Sequence, residues 1–163
     1  MSAVSVAPRP MQVLPARQPG LWETSVREDG SDDVQTLQIC IDGATDARLG
    51  LRGNDLGGDR CGPKSISRID ADSWKVMTTC RVPDGGAEAY SGTFTGDFAT
   101  AYTMKLRVQT TGAAIPQMNR VTNYIIESKR TGDCKPDQAP GDVTNDGVTV
   151  NLFEMEGGKA PRP

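Results

Sequence analysis

The sequence contains no histidine. That absence excludes Ser-His-Asp and Cys-His catalysis, HExxH zinc sites and every other histidine-ligated metal. Aromatic residues are only 5 % of the chain. No apolar run approaches the roughly 18 residues that a membrane-spanning helix needs. No GxSxG elbow is present, and no glycine-rich loop follows a strand to open a helix, so neither an activated serine nor a phosphate cradle is assigned. Residues Met1 to Pro19 lack a basic start followed by an apolar stretch and are not read as a secretory signal. The net charge of −3 and a pI near 5.0 argue against a non-specific nucleic-acid binder.

What the chain has is glycine, proline and four cysteines. Pro8, Pro10, Pro15 and Pro19 suit an extended N-terminal tail over residues 1–18. Cys40, Cys61, Cys80 and Cys134 are an even set in a small glycine-rich chain, the pattern of two disulfides. A zinc site normally draws on close CxxC pairs, and none is present. Disulfides outweigh zinc and free thiols on that spacing, and they imply an oxidising compartment: periplasmic or secreted. Cys61 and Cys80 bracket a segment with Asp70-Ala71-Asp72 near its midpoint. A hairpin turn there sets the two cysteines opposite each other, which leaves Cys40 for Cys134.

The hydropathy pattern has period two. Trp22, Thr24 and Val26 alternate with Glu23, Ser25 and Arg27. The same holds around Leu37–Ile41, Trp74–Cys80, Tyr90–Phe94, Tyr102–Val108 and Tyr124–Ser128. One apolar and one polar face indicate antiparallel strands with one side wet. Turn residues separate the runs at Asp29-Gly30, Pro83-Asp84-Gly85-Gly86, Gly96-Asp97 and Thr111-Gly112. The exception is Asp42 to Gly58, where Thr45 or Asp46 is expected to cap a short helix ending at Leu49. The expectation is an all-β domain over residues 19–135: a bent antiparallel meander or open barrel of about seven strands with one short helix. Residues 136–163 read as a Pro/Gly-rich C-terminal tail, with at most one added strand around Val148–Phe153.

These features form a set: the opening Pro19-Gly20-Leu21-Trp22-Glu23, the four ordered cysteines and the ending Gly132-Asp133-Cys134. Together they resemble the uncharacterised bacterial family known as domain of unknown function 3617, over about residues 18–135. The resemblance implies export by a Gram-negative bacterium behind a signal or lipoprotein leader. It implies no activity, ligand or catalytic residue. This sequence departs from the pattern in carrying no leader and in continuing past Lys135.

Candidate sites are weaker than the fold. Asp142, Thr144 and Asp146 begin a stretch like a calcium loop, but Phe153 stands where the bidentate acid belongs, and a polar turn uses the same residues. Acid–base pairs could be assembled from Glu23, Asp42, Asp59, Asp70, Asp72 or Glu88, yet no spacing selects two. Trp22, Trp74, Tyr90 and Tyr102 share the apolar strand faces. They are either a ligand-stacking face or core anchors, and core is the commoner role. Ser91, Thr93, Thr95 and Thr103 are ordinary solvent-facing strand residues or a flat recognition surface. The expected function is therefore a non-catalytic, exported binding protein without cofactor that docks a protein or peptide of the envelope. The alternatives are a carrier of a small apolar ligand in the concave face of the sheet and, behind it, a carboxylate-dependent hydrolase. Protein docking is preferred at this point because the apolar content looks too small to line both a core and a cavity.

Overall fold

The structure, a computed structural model, describes residues 15–49, 60–83 and 85–156. The alternating segments form strands: β1 (Gly20–Glu28), β2 (Val34–Ile41), β3 (Ser65–Asp70), β4 (Ser73–Arg81), β5 (Ala87–Gly96), β6 (Ala101–Thr111) and β7 (Val121–Gly132). Two short strands follow, β8 (Asp142–Asn145) and β9 (Val148–Asn151). Helix α1 (Gly43–Leu49) follows β2, and α2 (Leu152–Glu156) follows β9. All nine strands join one antiparallel sheet in the order β3-β4-β5-β6-β7-β1-β2-β8-β9. No ladder joins β3 to β9, so the sheet is open.

The meander from β3 to β7 is local, but β1 is not. It pairs with β2 across the first hairpin and with β7 about a hundred residues later in the chain. β3 lies at the edge of the sheet, six strands from β2. The turns follow their chemistry. Gly30 and Gly85 adopt positive φ, and Asp146-Gly147 takes φ of 50° and 78°, the mirror-image turn that a two-residue hairpin requires.

The helix cap lies earlier than expected. The Asp42 carboxylate accepts the Thr45 amide at 2.7 Å, and the Asp46 amide donates to the Asp42 carbonyl. Asp42 is thus the N-cap, and Thr45 and Asp46 lie inside the helix, both buried. The Asp46 carboxylate instead receives the amide and guanidinium of Arg17 at 3.0 and 2.7 Å. This buried ion pair fastens the entry to β1, and Arg17 also lies over the Trp22 ring. Residues 15–18 of the expected tail are thus fastened to the domain; residues 1–14 of it, and the Gly50–Gly58 stretch, lie outside the described residues.

The expected C-terminal tail contributes a hairpin of two strands rather than one. β8 extends the sheet through Gln38↔Thr144 and Ile39↔Val143. Asp142 explains the docking. Its buried carboxylate accepts the Ala139 amide and the Asn151 side-chain amide, and the Asn151 side-chain oxygen Oδ1 caps α2 by accepting the amides of Phe153 and Glu154. A four-residue strand between prolines has too little alternation to be read from sequence.

Cys40 bonds to Cys134 and Cys61 to Cys80, and no cysteine is free. The turn at Ala71-Asp72 sets Cys61 against Cys80 on β4. The Cys40–Cys134 bridge ties the end of β2 to the chain just past β7, with β1 between them. Their sequence separations are 94 for Cys40–Cys134 and 19 for Cys61–Cys80. Loop-closure entropy then assigns about 5 kcal/mol to the long bridge and about 3 kcal/mol to the short one. Urea unfolding without reductant checks this: the Cys40→Ser/Cys134→Ser pair is expected to lose more stability than Cys61→Ser/Cys80→Ser.

Candidate functional site

Strand register sorts the side chains onto two faces. The inner face carries Trp22, Thr24 and Val26 on β1, Leu37, Ile39 and Ile41 on β2, and Tyr124, Ile126 and Ser128 on β7. It continues with Tyr102, Met104, Leu106 and Val108 on β6, then Tyr90, Gly92 and Phe94 on β5, and Trp74 and Val76 on β4. The outer face of the same strands holds Glu23, Ser25, Lys75, Ser91, Thr93, Thr95, Thr103, Lys105 and Lys129.

The inner face is the inside of a bend. Strands lie about 4.8 Å apart, so a flat sheet would separate β4 from β1 by about 19 Å. Ring contacts shorten that path, with centroid distances of 4.9 Å for Trp74–Phe98, 5.4 Å for Phe98–Tyr102 and 6.2 Å for Tyr102–Trp22.

One end of this face is sealed. Trp22, Ile41, Trp74, Phe94, Phe98 and Tyr102 form a buried cluster there, with Ile39, Ile66, Val76 and Met104 packed against it. Phe98 is the plug. It occupies the β5–β6 turn with φ of 60°, a left-handed conformation costly for a bulky residue. Two things hold it. Its ring is fully buried, stacked on Tyr102 and edge-on to Trp74. Beside it, the Asp97 carboxylate accepts the Thr100 amide, the Thr100 hydroxyl and the Ala101 amide. These bonds keep Asp97 below the ordinary carboxylate range, the Thr100 amide contributing most. The turn was legible as Gly96-Asp97, but nothing in the sequence marks the next residue as the plug.

Toward the other end the inner face carries half-buried apolar side chains, Val26, Leu37, Leu106, Val108, Tyr124 and Ile126, with Thr78, Glu88, Thr110 and Thr122 beside them. Tyr90 lies at this end. Its hydroxyl donates to the Glu88 carboxylate. Burial first, and then this bond and the charge of Glu88, push the phenol up to about 12.

The structure brings Trp22, Trp74 and Tyr102 together in the sealed end and sets Tyr90 apart at the open one. It does not gather the carboxylates. Glu23 is on the outer face, Asp42 caps α1, Asp70 and Asp72 flank the β3–β4 turn, and Glu88 lies on the inner face. Asp59 lies outside the described residues. Asp142 and Asp146 stand at opposite ends of β8, about 13 Å of strand apart, with the Asp142 carboxylate committed to protein donors. Among the described residues no three His, Cys, Asp or Glu side chains converge on a metal position. Ser91, Thr93, Thr95 and Thr103 lie on the outer face, where Thr95 and Thr103 line an open depression of 410 Å³ with Glu23, Asp97, Ala101 and Lys129.

A family model described as a protein of unknown function, DUF3617, matches residues 17–134. No curated protein and no solved structure matches the chain. The matched span begins on Arg17, which anchors β1, and ends on Cys134 of the long bridge. β8, β9 and α2 lie beyond it.

Phe98→Ala is expected to cost about 3–5 kcal/mol in thermal or urea unfolding, because truncation leaves a cavity that neighbouring rings cannot fill. Tyr90 gives an alkaline signature. Its folded value lies above the ordinary one near 10, so its contribution to stability is complete below about pH 10 and is lost as pH rises toward 12. In ultraviolet absorbance titration, the difference between the wild type and Tyr90→Phe should have its midpoint near 12.

Proposed function

The chain belongs to DUF3617, a family of unknown function, and on that premise we propose from its geometry that it is a non-catalytic, exported binding protein that carries an apolar ligand against the inner face of its sheet. The observation that carries the reading is the gradient along this face. Five aromatic side chains and Ile41 seal one end, while the apolar residues toward the other end are only half-buried. A bent sheet with one end closed and an apolar wall of several strands suits an elongated apolar molecule such as an acyl chain.

The composition argument that favoured protein docking loses its force. A small apolar content suffices for both plug and wall when the alternation sends most of the strands' large apolar side chains to one face. The Thr- and Ser-rich outer face contributes solubility. The two disulfides support an oxidising compartment, periplasmic or secreted. The described residues include no helix long and apolar enough to cross a membrane.

The test is native mass spectrometry of oxidised protein, together with displacement of a fluorescent acyl probe. A retained small-molecule adduct and probe binding are expected. Leu106→Glu places a charge on the apolar wall and should reduce probe affinity at least about tenfold. Thr93→Glu on the outer face should leave it unchanged. A bare protein that binds no probe sinks the carrier reading and returns protein docking to first place.

A further inference from the structure

The connection between β6 and β7 is the least polar of the sheet's exposed turns. Ile115, Met118 and Val121 are 59 %, 52 % and 43 % exposed. Such exposure is ordinary for scattered side chains but not for three within seven residues of one turn. The turn is built rather than loose. Pro116–Met118 forms a 3-10 turn, closed by bonds from the Met118 amide to the Ile115 carbonyl and from the Asn119 amide to the Pro116 carbonyl. The Asn119 side chain accepts the Ala113 amide across the loop at 2.8 Å. The apolar side chains are therefore presented by a folded tip, at little ordering cost on binding.

Charge follows the same segment. From Phe98 to Ile126 the sequence has no aspartate or glutamate, although the whole chain has 21. The same stretch carries Lys105, Arg107 and, next to the tip, Arg120. The neighbouring β1–β2 turn is acidic, with Glu28, Asp29, Asp32 and Asp33. Its last backbone bond to β7 is from the Asp29 amide to the Asn123 carbonyl. The β6–β7 ladder runs past that level through Thr122, Val121 and Arg120 before the tip begins. A surface approaching this end meets Ile115, Met118 and Arg120 ahead of those acids.

We propose that the β6–β7 tip is a membrane-contacting element that seats on the surface of a bilayer containing anionic lipid. A narrow tip favours a bilayer over a protein. A stable protein interface buries about 800 Å² on each partner, which three half-exposed side chains do not supply. Interfacial insertion needs only apolar groups reaching about 5–10 Å into the headgroup boundary, with cations among the phosphates. The tip lies at the unsealed end of the inner face, yet the proposal stands without a ligand there.

Vesicle flotation with the full oxidised chain tests it. The vesicles are phosphatidylcholine alone, or phosphatidylcholine containing phosphatidylglycerol. Binding is expected to the anionic vesicles, weaker in high salt and weaker still to phosphatidylcholine alone. Ile115→Asp/Met118→Asp, checked for folding by near-ultraviolet circular dichroism, should reduce binding about tenfold or more. Ile115→Ser/Met118→Ser guards against a folding defect in that pair and should weaken binding in the same direction. Val34→Asp, at an exposed apolar position where β2 leaves the neighbouring turn, should leave binding unchanged. The proposal is overturned by absence of binding to anionic vesicles, by equal binding to phosphatidylcholine alone, or by binding that survives the Asp pair. Concentration-dependent self-association that the same pair abolishes, without vesicle binding, would make the tip a protein contact and overturn it too. None of these outcomes bears on acyl-probe binding, so failure here and failure of the carrier reading are separable.

Discussion

The fold depends on the placement of β1 between β2 and β7. One of its ladders is a local hairpin; the other waits for a strand about a hundred residues later. Without β1, the meander from β3 to β7 and the β2 edge would be separate pieces with an apolar face each. With it, Trp22 and Ile41 reach the rings of β4, β5 and β6, and the sealed end exists. Three restraints converge on this strand: the Arg17–Asp46 ion pair at its entry, the Trp22 indole N–H donated to the Gln18 carbonyl, and the Cys40–Cys134 bridge around it. Breaking one partner of a buried ion pair is far more damaging than the pair is stabilising. Arg17 and Asp46 therefore act chiefly to fix where the chain enters the sheet.

The inner face divides into a plug and a wall for a geometric reason. Rings are concentrated where the β5–β6 turn delivers Phe98 from beyond the strand ends. Away from that turn only strand residues contribute, and Gly92 removes one side chain from the middle of β5. A Cβ there would fall 2.7 Å from the Met104 methyl. The strained turn and the missing side chain both shape the inner surface, one by delivering the Phe98 ring and one by admitting the Met104 methyl.

Much of this was legible in the sequence because period-two alternation over eight or more residues is a strong signal, as in β1, β4, β6 and β7. The Cys61–Cys80 pairing could be read from the turn between them. What was not legible depends on distance or on single-residue geometry. Asp142 looks like a turn or a calcium ligand until the sheet buries it and Asn151 takes up its carboxylate. The β8–β9 hairpin is too short to alternate visibly. Thr45 and Asp46 are good caps on paper, and only the chain direction out of β2 selects Asp42 instead. The apolar face was assignable, but its division into buried and half-buried parts follows from the bend and from Phe98.

The arrangement of the two bridges has a consequence for biogenesis. Cys61–Cys80 is nested within the loop that Cys40–Cys134 closes. A chain that enters an oxidising compartment from its N-terminus presents Cys40 first and Cys61 second, and these two do not belong together. Oxidation in order of arrival would join them and hold β2 against the segment leading to β3, which the finished sheet places near the opposite edge. Correct pairing requires Cys40 to remain reduced until β7 has been made, or a mispaired bond to be exchanged by an attacking thiolate. For a chain exported in that way, oxidation alone does not secure the native pairing: either its timing or thiol–disulfide exchange has to.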